Sequence, residues 1–415
     1  MVYQAPSGAR DLLPLDVAQK HWIEDRIEQV FQQWGYHRII TSTVEQLDTL
    51  MAGGAINQDA VIELHQSTGQ RLGLRPELTA SIARTAVSRL SRVTYPQRLY
   101  YNANVFRQTH KGSFGGQQEF YQSGVELIGA GDVSADAEIV LLVADILDHL
   151  SLPQWSLVLG DAYLTRSLLV PFPEPMRGRV RQALAQLDRI VLENLEVSTD
   201  LKHYALKLFD LRGRPETVLQ AVSSFDLSIE GQATVARLKT LIALLRESDQ
   251  FCPQENNAGS GHGLTLDLSL IQTFDYYTGL VFEVVTSPEM GCQVLGQGGR
   301  YDNLLGVFHP QGQSFPGVGF VLHTEVIHQA LLPSGVLPQH TPSSDWLVVP
   351  TSKLAVPSAF AYARTLRSSA NLVRAEVHLD PTTSADTIRQ VAQQRHIRHI
   401  AWINGDGLPD IESLN

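Results

Sequence analysis

Cysteine is nearly absent from this chain. Its 415 residues hold two, Cys252 and Cys292, far apart and in no paired spacing. That excludes a disulfide framework and a cysteine zinc site, and it predicts a reducing compartment. Long apolar runs are missing too. The stretch Ile139 to Ile146 is far short of the ~20 residues a membrane helix needs, and Asp145 interrupts it. Basic tracts are also lacking: 32 Lys and Arg stand against 43 Asp and Glu, a net charge of −11. No basic tract stands out to collect phosphates, so no nucleic-acid partner is expected. The opening Met1-Val2-Tyr3-Gln4-Ala5-Pro6 has neither the basic nor the apolar region of a secretory signal, so a cytoplasmic location is expected. The fourteen histidines are scattered without ligand spacing, so no metal and no cofactor are expected. Gly112 to Gly116 lacks the Gly-Lys-Ser/Thr ending of a phosphate-binding loop.

What remains is a chain of ordinary globular composition, 43% hydrophobic, long enough for two or three domains. Ile23, Ile27, Val30, Phe31 and Trp34 fall on one helical face, and Gly35 follows as a stop. Tyr36 to Thr41 reads as a strand. Leu99 to Arg107 and Glu119 to Leu127 read as a long antiparallel hairpin around a Gly-rich loop. Residues 134 to 150 and most of 175 to 250 read as helical. A polar Gly/Asn-rich connector covers 253 to 261, and strands return at Leu264–Leu268, Leu280–Val285 and Val318–Leu322. Leu332 to Asp345, with three prolines, is the best linker. From Trp346 to Ile403 strands alternate with helices, three strands in all, which implies a small α/β domain.

Three polar segments carry more charge and tyrosine than a core can hold unpaired: Arg75-Pro76-Glu77-Leu78-Thr79, Arg107 with Gln122 and Glu126, and Asp275-Tyr276-Tyr277-Thr278-Gly279. On a strand, Gln122, Gly124 and Glu126 share one face. Carboxylates that take an ammonium, beside tyrosine and a space-leaving glycine, suit a small zwitterion. A structural Arg107–Glu126 salt bridge is the plain alternative for one segment alone. Three such segments together favour a pocket.

These same segments resemble the class II aminoacyl-tRNA synthetases, specifically the histidyl-tRNA synthetase core. Gly8-Ala9-Arg10-Asp11-Leu12-Leu13-Pro14 is similar to that family's opening, and Phe106-Arg107 through Glu126 to its motif 2 hairpin. Asp275 to Gly279 is similar to its histidine-specific segment, while Gly298-Gly299-Arg300-Tyr301-Asp302 and Gly317-Val318-Gly319-Phe320 lead into motif 3. The matches run in order from residue 8 to about 330. The resemblance implies an α+β fold: a synthetase-like antiparallel sheet flanked by helices over 1–332, with a helical insertion at about 170–250. A reduced α/β domain of the anticodon-binding type would follow over 346–415. It also implies a histidine site made of Glu77, Thr79, Gln122, Glu126, Tyr276, Tyr277 and Tyr301, with Arg107 a possible anion or nucleotide contact.

The pattern breaks where adenylation chemistry needs cations. Arginines expected by the family are replaced by Gln118, Gln272 and Val326, and Ser42 stands for the motif 1 proline. Losing one preorganised charge-stabilising donor costs about 3 kcal/mol of transition-state stabilisation. A synthetase frame that keeps the amino-acid half and loses the phosphate half resembles the regulatory subunits of ATP phosphoribosyltransferase. That resemblance implies a non-catalytic chain partnered with a short-form catalytic phosphoribosyltransferase in the first step of histidine biosynthesis. It further implies L-histidine as feedback effector, and homodimers within a hetero-octamer. A divergent histidyl-tRNA synthetase is the alternative, and a stand-alone ligase or RNA-binding paralogue is a third reading.

Overall fold

The computed structural model describes residues 5–6, 8–52, 58–65, 69–89, 94–108, 116–152, 154–248, 250–251, 262–270, 276–369, 372–380 and 382–414. The chain divides into two compact units, Met1–Leu12 with Gln19–Leu337, and Leu13–Ala18 with Pro338–Asn415.

The helix Pro14–Gln33 buries Ile23, Ile27, Val30 and Phe31, the stripe its spacing predicts. It stops at Gly35, whose φ of +77° is a left-handed conformation that costs glycine no Cβ clash. The strands of the larger unit are β1 (His37–Arg38), β2 (Val44–Gln46), β3 (Glu63–Leu64), β4 (Leu72–Leu74), β5 (Gln97–Phe106), β6 (Glu119–Ile128), β7 (Trp155–Asp161), β8 (Arg212–Gly213), β9 (Gly263–Asp267), β10 (Leu280–Thr286), β11 (Val294–Arg300) and β12 (Gly317–His323). Nine of them form one sheet in the order β1-β5-β6-β12-β11-β10-β7-β9-β8, and β2-β4-β3 form a small separate sheet. In the large sheet β1–β5 and β7–β9 are parallel, and the remaining pairs are antiparallel.

Register sorts the side chains. Gln122 lies opposite His323, Gly124 opposite Val321 and Glu126 opposite Gly319. Val321 in turn faces Gln297, and Gly319 faces Gly299, while Tyr101 faces Gly124. Opposed residues share a sheet face, so these make one polar face. The alternate residues Tyr100, Val125, Leu127, Phe282 and Phe320 point the other way. They enter an apolar core with the helices Pro14–Gln33 and Val133–His149. Truncating a large residue there to alanine costs roughly 2–5 kcal/mol. The polar face is therefore held rigid from behind.

Residues 174 to 247 form five helices, Glu174–Ala185, Arg189–Glu193, Thr199–Phe209, Pro215–Val222 and Ile229–Glu247. The side chains of Asp188, Ser198 and Ser228 cap three of their N-termini.

The smaller unit carries β13 (Trp346–Pro350), β14 (Ala375–Val377), β15 (His399–Ile403) and β16 (Pro409–Ser413), in the order β14-β13-β15-β16. Helices Val356–Arg367 and Ala385–Gln394 connect the three parallel strands. Sequence alone implies three strands, and the structure adds a fourth, β16, antiparallel to β15. It follows the tight Asn404–Gly407 turn, where Gly407 sits at φ +81°. No residue of β16 is buried, so hydrophobic alternation does not announce it. No helix among the described residues is long and apolar enough to cross a membrane.

Candidate functional site

The polar face of the sheet closes into a narrow recess, about 350 Å³ with its open mouth included. Glu77, Thr79, Arg107, Gln122, Glu126, Tyr276, Tyr277 and Tyr301 all line it. Residues as far apart in the chain as Glu77 and Tyr301 thus converge on one cavity.

Glu77 precedes the helix Thr79–Arg89 and caps it. Its Oε2 accepts from the Thr79 N–H at 2.5 Å and its Oε1 from the Ala80 N–H at 2.8 Å. Two of the helix's orphan donors are satisfied in this way, and the helix dipole favours the negative charge. Burial nonetheless pushes its carboxyl up, against those hydrogen bonds and the nearby Arg107. Glu126 is 1% exposed. Thr79 Oγ1 donates to its Oε1 at 2.7 Å, and the Tyr301 hydroxyl donates to its Oε2. Burial raises the Glu126 pKa to about 8, with the two hydroxyls pulling it down and Glu77 pushing it further up. The Glu126 oxygens thus accept from hydroxyls, while Arg107 Nε donates to the Pro76 carbonyl at 2.9 Å.

Glycine makes room for these groups. A Cβ on Gly319 would collide with the Glu126 carboxylate and the Val125 carbonyl, and one on Gly299 would lie 2.7 Å from the Tyr277 ring. Tyr276 packs on Tyr277 at 4.8 Å between ring centroids, and meets Tyr301 edge-on at 6.0 Å. Burial holds all three phenols above their ordinary value. Gln122 is 2% exposed, and its Nε2 has no hydrogen-bond partner among the described residues. A buried amide donor without a partner costs about 1–3 kcal/mol, a cost that a ligand acceptor removes. Desolvation of the half-buried Arg107 lowers its pKa, while Glu77 opposes the shift. His323, on the same sheet face, is pushed down to about 4 by burial and then by Arg107, so its imidazole is neutral at pH 7.

Two polar lining residues are not singled out by sequence, Tyr101 and Gln297. The signal for Tyr101 was strand parity: it is an even number of residues from Arg107, on the same strand face. Gln297 carries no such signal, because β11 is too glycine-rich to show a hydrophobic alternation. Arg75 proves structural. Its guanidinium donates to the Asn104 and Thr41 carbonyls, both at 3.0 Å, and it does not line the recess.

The residues that break the synthetase pattern also have places. Val326 packs against the apolar core, and the Gln118 main chain bonds Gly8 and Arg107, each at 2.8 Å. Glu325 accepts from the Tyr121 N–H at 2.8 Å and pairs with Arg10 at 3.6 Å. Gln272, Asp275, Cys252, the 253–261 connector and the Gly112–Gly115 part of the hairpin loop lie outside the described residues. The recess therefore offers two carboxylates, an open amide and an aromatic wall, with Arg107 as the one guanidinium among its described lining. Such a site can hold an ammonium and a ring.

Comparison with known proteins places the chain in a family. The family model described as histidyl-tRNA synthetase matches residues 8–327. A Nostoc punctiforme protein named ATP phosphoribosyltransferase regulatory subunit is 56% identical over 414 residues, covering all of both chains. One of the same name from Nostoc sp. is 54% identical over 415 residues, again covering both chains fully. Among solved structures, an ATP phosphoribosyltransferase regulatory subunit/histidyl-tRNA synthetase from Bacillus halodurans superposes with a TM-score of 0.79 at 27% identity, over 98% of this chain and 99% of that one. The α+β reading of the fold is borne out by these likenesses. On full-length identity above one half, the chain belongs to the family of ATP phosphoribosyltransferase regulatory subunits, built on a histidyl-tRNA synthetase-like frame.

Proposed function

We propose that the recess binds free L-histidine, and that its occupancy regulates a short-form catalytic ATP phosphoribosyltransferase that needs this chain for activity. The observation that carries the reading is the pairing of two buried carboxylates, Glu77 and Glu126, with the unpartnered Gln122 amide in one cavity. An ammonium brings three donors, and each carboxylate oxygen keeps a free lone pair after its present bond. The Tyr276–Tyr277 wall suits a flat ring, Gln122 Nε2 suits an imidazole nitrogen, and Arg107 suits the ligand carboxylate.

The chain itself is then non-catalytic. Adenylation needs fixed cations around the α-phosphate, and Gln118 and Val326 supply none. The chemistry, displacement of pyrophosphate from phosphoribosyl pyrophosphate by ATP, belongs to the partner subunit. In this reading the pair works in the cytoplasm, as homodimers within a hetero-octamer. Feedback follows if histidine binds the inhibited arrangement more tightly than the active one, and the coupling is reciprocal.

Reconstitution with the cognate catalytic subunit, assayed with and without histidine, tests the reading. The expected result is activation by this chain and inhibition by histidine. Glu126→Ala should assemble and activate but escape histidine. Failure to activate, or unchanged inhibition in that variant, removes the reading.

A further inference from the structure

The domain inserted between residues 170 and 250 is tied to the recess at both of its ends, and each tie is an arginine. At the entry, Arg166 of the helix Ala162–Leu169 donates Nη2 to the Tyr277 carbonyl at 3.0 Å. At the exit, Arg237 of the helix Ile229–Glu247 donates Nε and Nη2 to Asp136 Oδ2 at 2.9 and 2.6 Å. The other oxygen of the same carboxylate, Oδ1, accepts from Arg300 Nε and Nη2 at 2.9 and 2.6 Å. Asp136 and Arg300 are 1% and 2% exposed.

From Arg300 the connection reaches the tyrosines directly. Its carbonyl accepts from the Thr278 N–H at 2.7 Å, next to Tyr277. Its Nη1 holds Asp302 at 3.0 Å, and Asp302 in turn accepts from the Gly317 N–H at 3.1 Å. Tyr301 lies between Arg300 and Asp302, with its N–H on the Gly317 carbonyl at 2.7 Å. The two guanidinia also clamp the turn that leaves β6, the strand of Glu126. Arg300 holds the Ala130 carbonyl at 3.2 Å and Arg237 the Gly131 carbonyl at 2.9 Å.

Tyr301, which contacts Glu126, and Tyr276 and Tyr277, which bound the ring end, thus sit on segments pinned by this network, whereas Thr79, the other partner of Glu126, does not. A carboxylate divided one oxygen to each guanidinium has few arrangements that keep all donors satisfied, and a half-satisfied buried network is costly. Such an element changes between discrete states rather than sliding.

We propose that Arg237 and Asp136 are positioning residues that couple ligand occupancy of the recess to the inserted helical domain, so that the insertion reports the bound state. The coupling is transmitted from Tyr301 through Arg300 and Asp136 to Arg237. The inference rests on the histidine reading of the recess.

The test uses the full chain and L-histidine as probe. Calorimetry gives affinity, and hydrogen–deuterium exchange with and without saturating histidine gives the response of residues 229–247. Wild type should bind histidine and slow exchange both around Tyr301 and across 229–247. In Arg237→Gln the response of 229–247 should vanish at saturation while that around Tyr301 persists, with affinity reduced several-fold. Arg237→Lys, which keeps the charge, should restore part of the response. A merely structural role would raise exchange equally with and without ligand, leaving the ligand-dependent difference intact. That result overturns the proposal, as does a wild-type helix indifferent to bound histidine. Absence of any histidine binding to wild type would instead overturn the reading of the recess, and this coupling with it.

Discussion

Replacing Glu126 by glutamine removes a charge from the recess while keeping its volume, and the consequence is calculable. Burial raises the carboxyl to about 8 in the empty pocket, so at pH 7 roughly one-tenth of it is ionised. An ammonium ligand requires the carboxylate, so binding at pH 7 must expel a proton at a cost of about 1.4 kcal/mol, or tenfold in affinity. Each further unit of acidity costs about the same again. At pH 8, Glu126→Gln loses a charge-assisted contact worth about 1.5–3 kcal/mol, so its affinity should fall by roughly 10- to 150-fold. Toward pH 6 the two proteins should converge. The imidazole of the ligand titrates in both, and the wild-type to variant ratio cancels it. Titration calorimetry at pH 6, 7 and 8, in two buffers of different ionisation enthalpy, measures both quantities. Wild type should release about one proton at pH 7, and the variant fewer. A ratio independent of pH, or equal affinities at pH 8, would refute the assignment of Glu126 as the ammonium's partner.

The same group bears on stability. A carboxyl raised from 4.5 to about 8 on folding leaves stability intact below its unfolded value and drains it as pH rises toward 8. By pH 7 the loss is roughly 3 kcal/mol. The ligand-free Glu126→Gln variant should therefore melt above wild type at pH 7 and match it at pH 4, as thermal scans would show. Gly319→Ala drives a methyl into that carboxylate. It should abolish histidine binding by calorimetry while the far-ultraviolet dichroism stays native, and retained affinity would count against the geometry. Asp136→Asn takes from buried Arg300 the fully buried one of its two counter-ions, leaving only Asp302, and should cost about 3–5 kcal/mol in denaturant unfolding; a loss under about 1 kcal/mol would mean the network is not buried as described. Histidine-dependent ATP–pyrophosphate exchange should be absent, since Val326, packed against the apolar core, supplies no cation; detectable exchange would restore the synthetase alternative.

Local pattern made much of this protein legible. The stripe Ile23, Ile27, Val30 and Phe31 with Gly35 behind it predicts the first helix, because a 3.6-residue period and a left-handed stop are local properties. The hairpin of β5 and β6, the helical insertion and the alternation after Trp346 are visible for the same reason. The glutamates, tyrosines and Gln122 could be chosen from composition and motif order alone, since charges that no strand can bury unpaired declare themselves. Other features depend on partners distant in sequence. β16 has no buried face to mark it, and Gln297 enters the recess only through its register with Val321. Arg75 looks like a pocket residue in sequence, yet carbonyls from two other segments claim its guanidinium. What the sequence by itself determined was which residue types had to be paired and which family frame would pair them. Only the tertiary structure decided who pairs with whom: hydroxyls rather than a guanidinium on Glu126, and one carboxylate, Asp136, shared between the sheet and the inserted helices. The reason is physical: the penalty for burying a charge is set by its surroundings, and those are assembled only when the strands come into register.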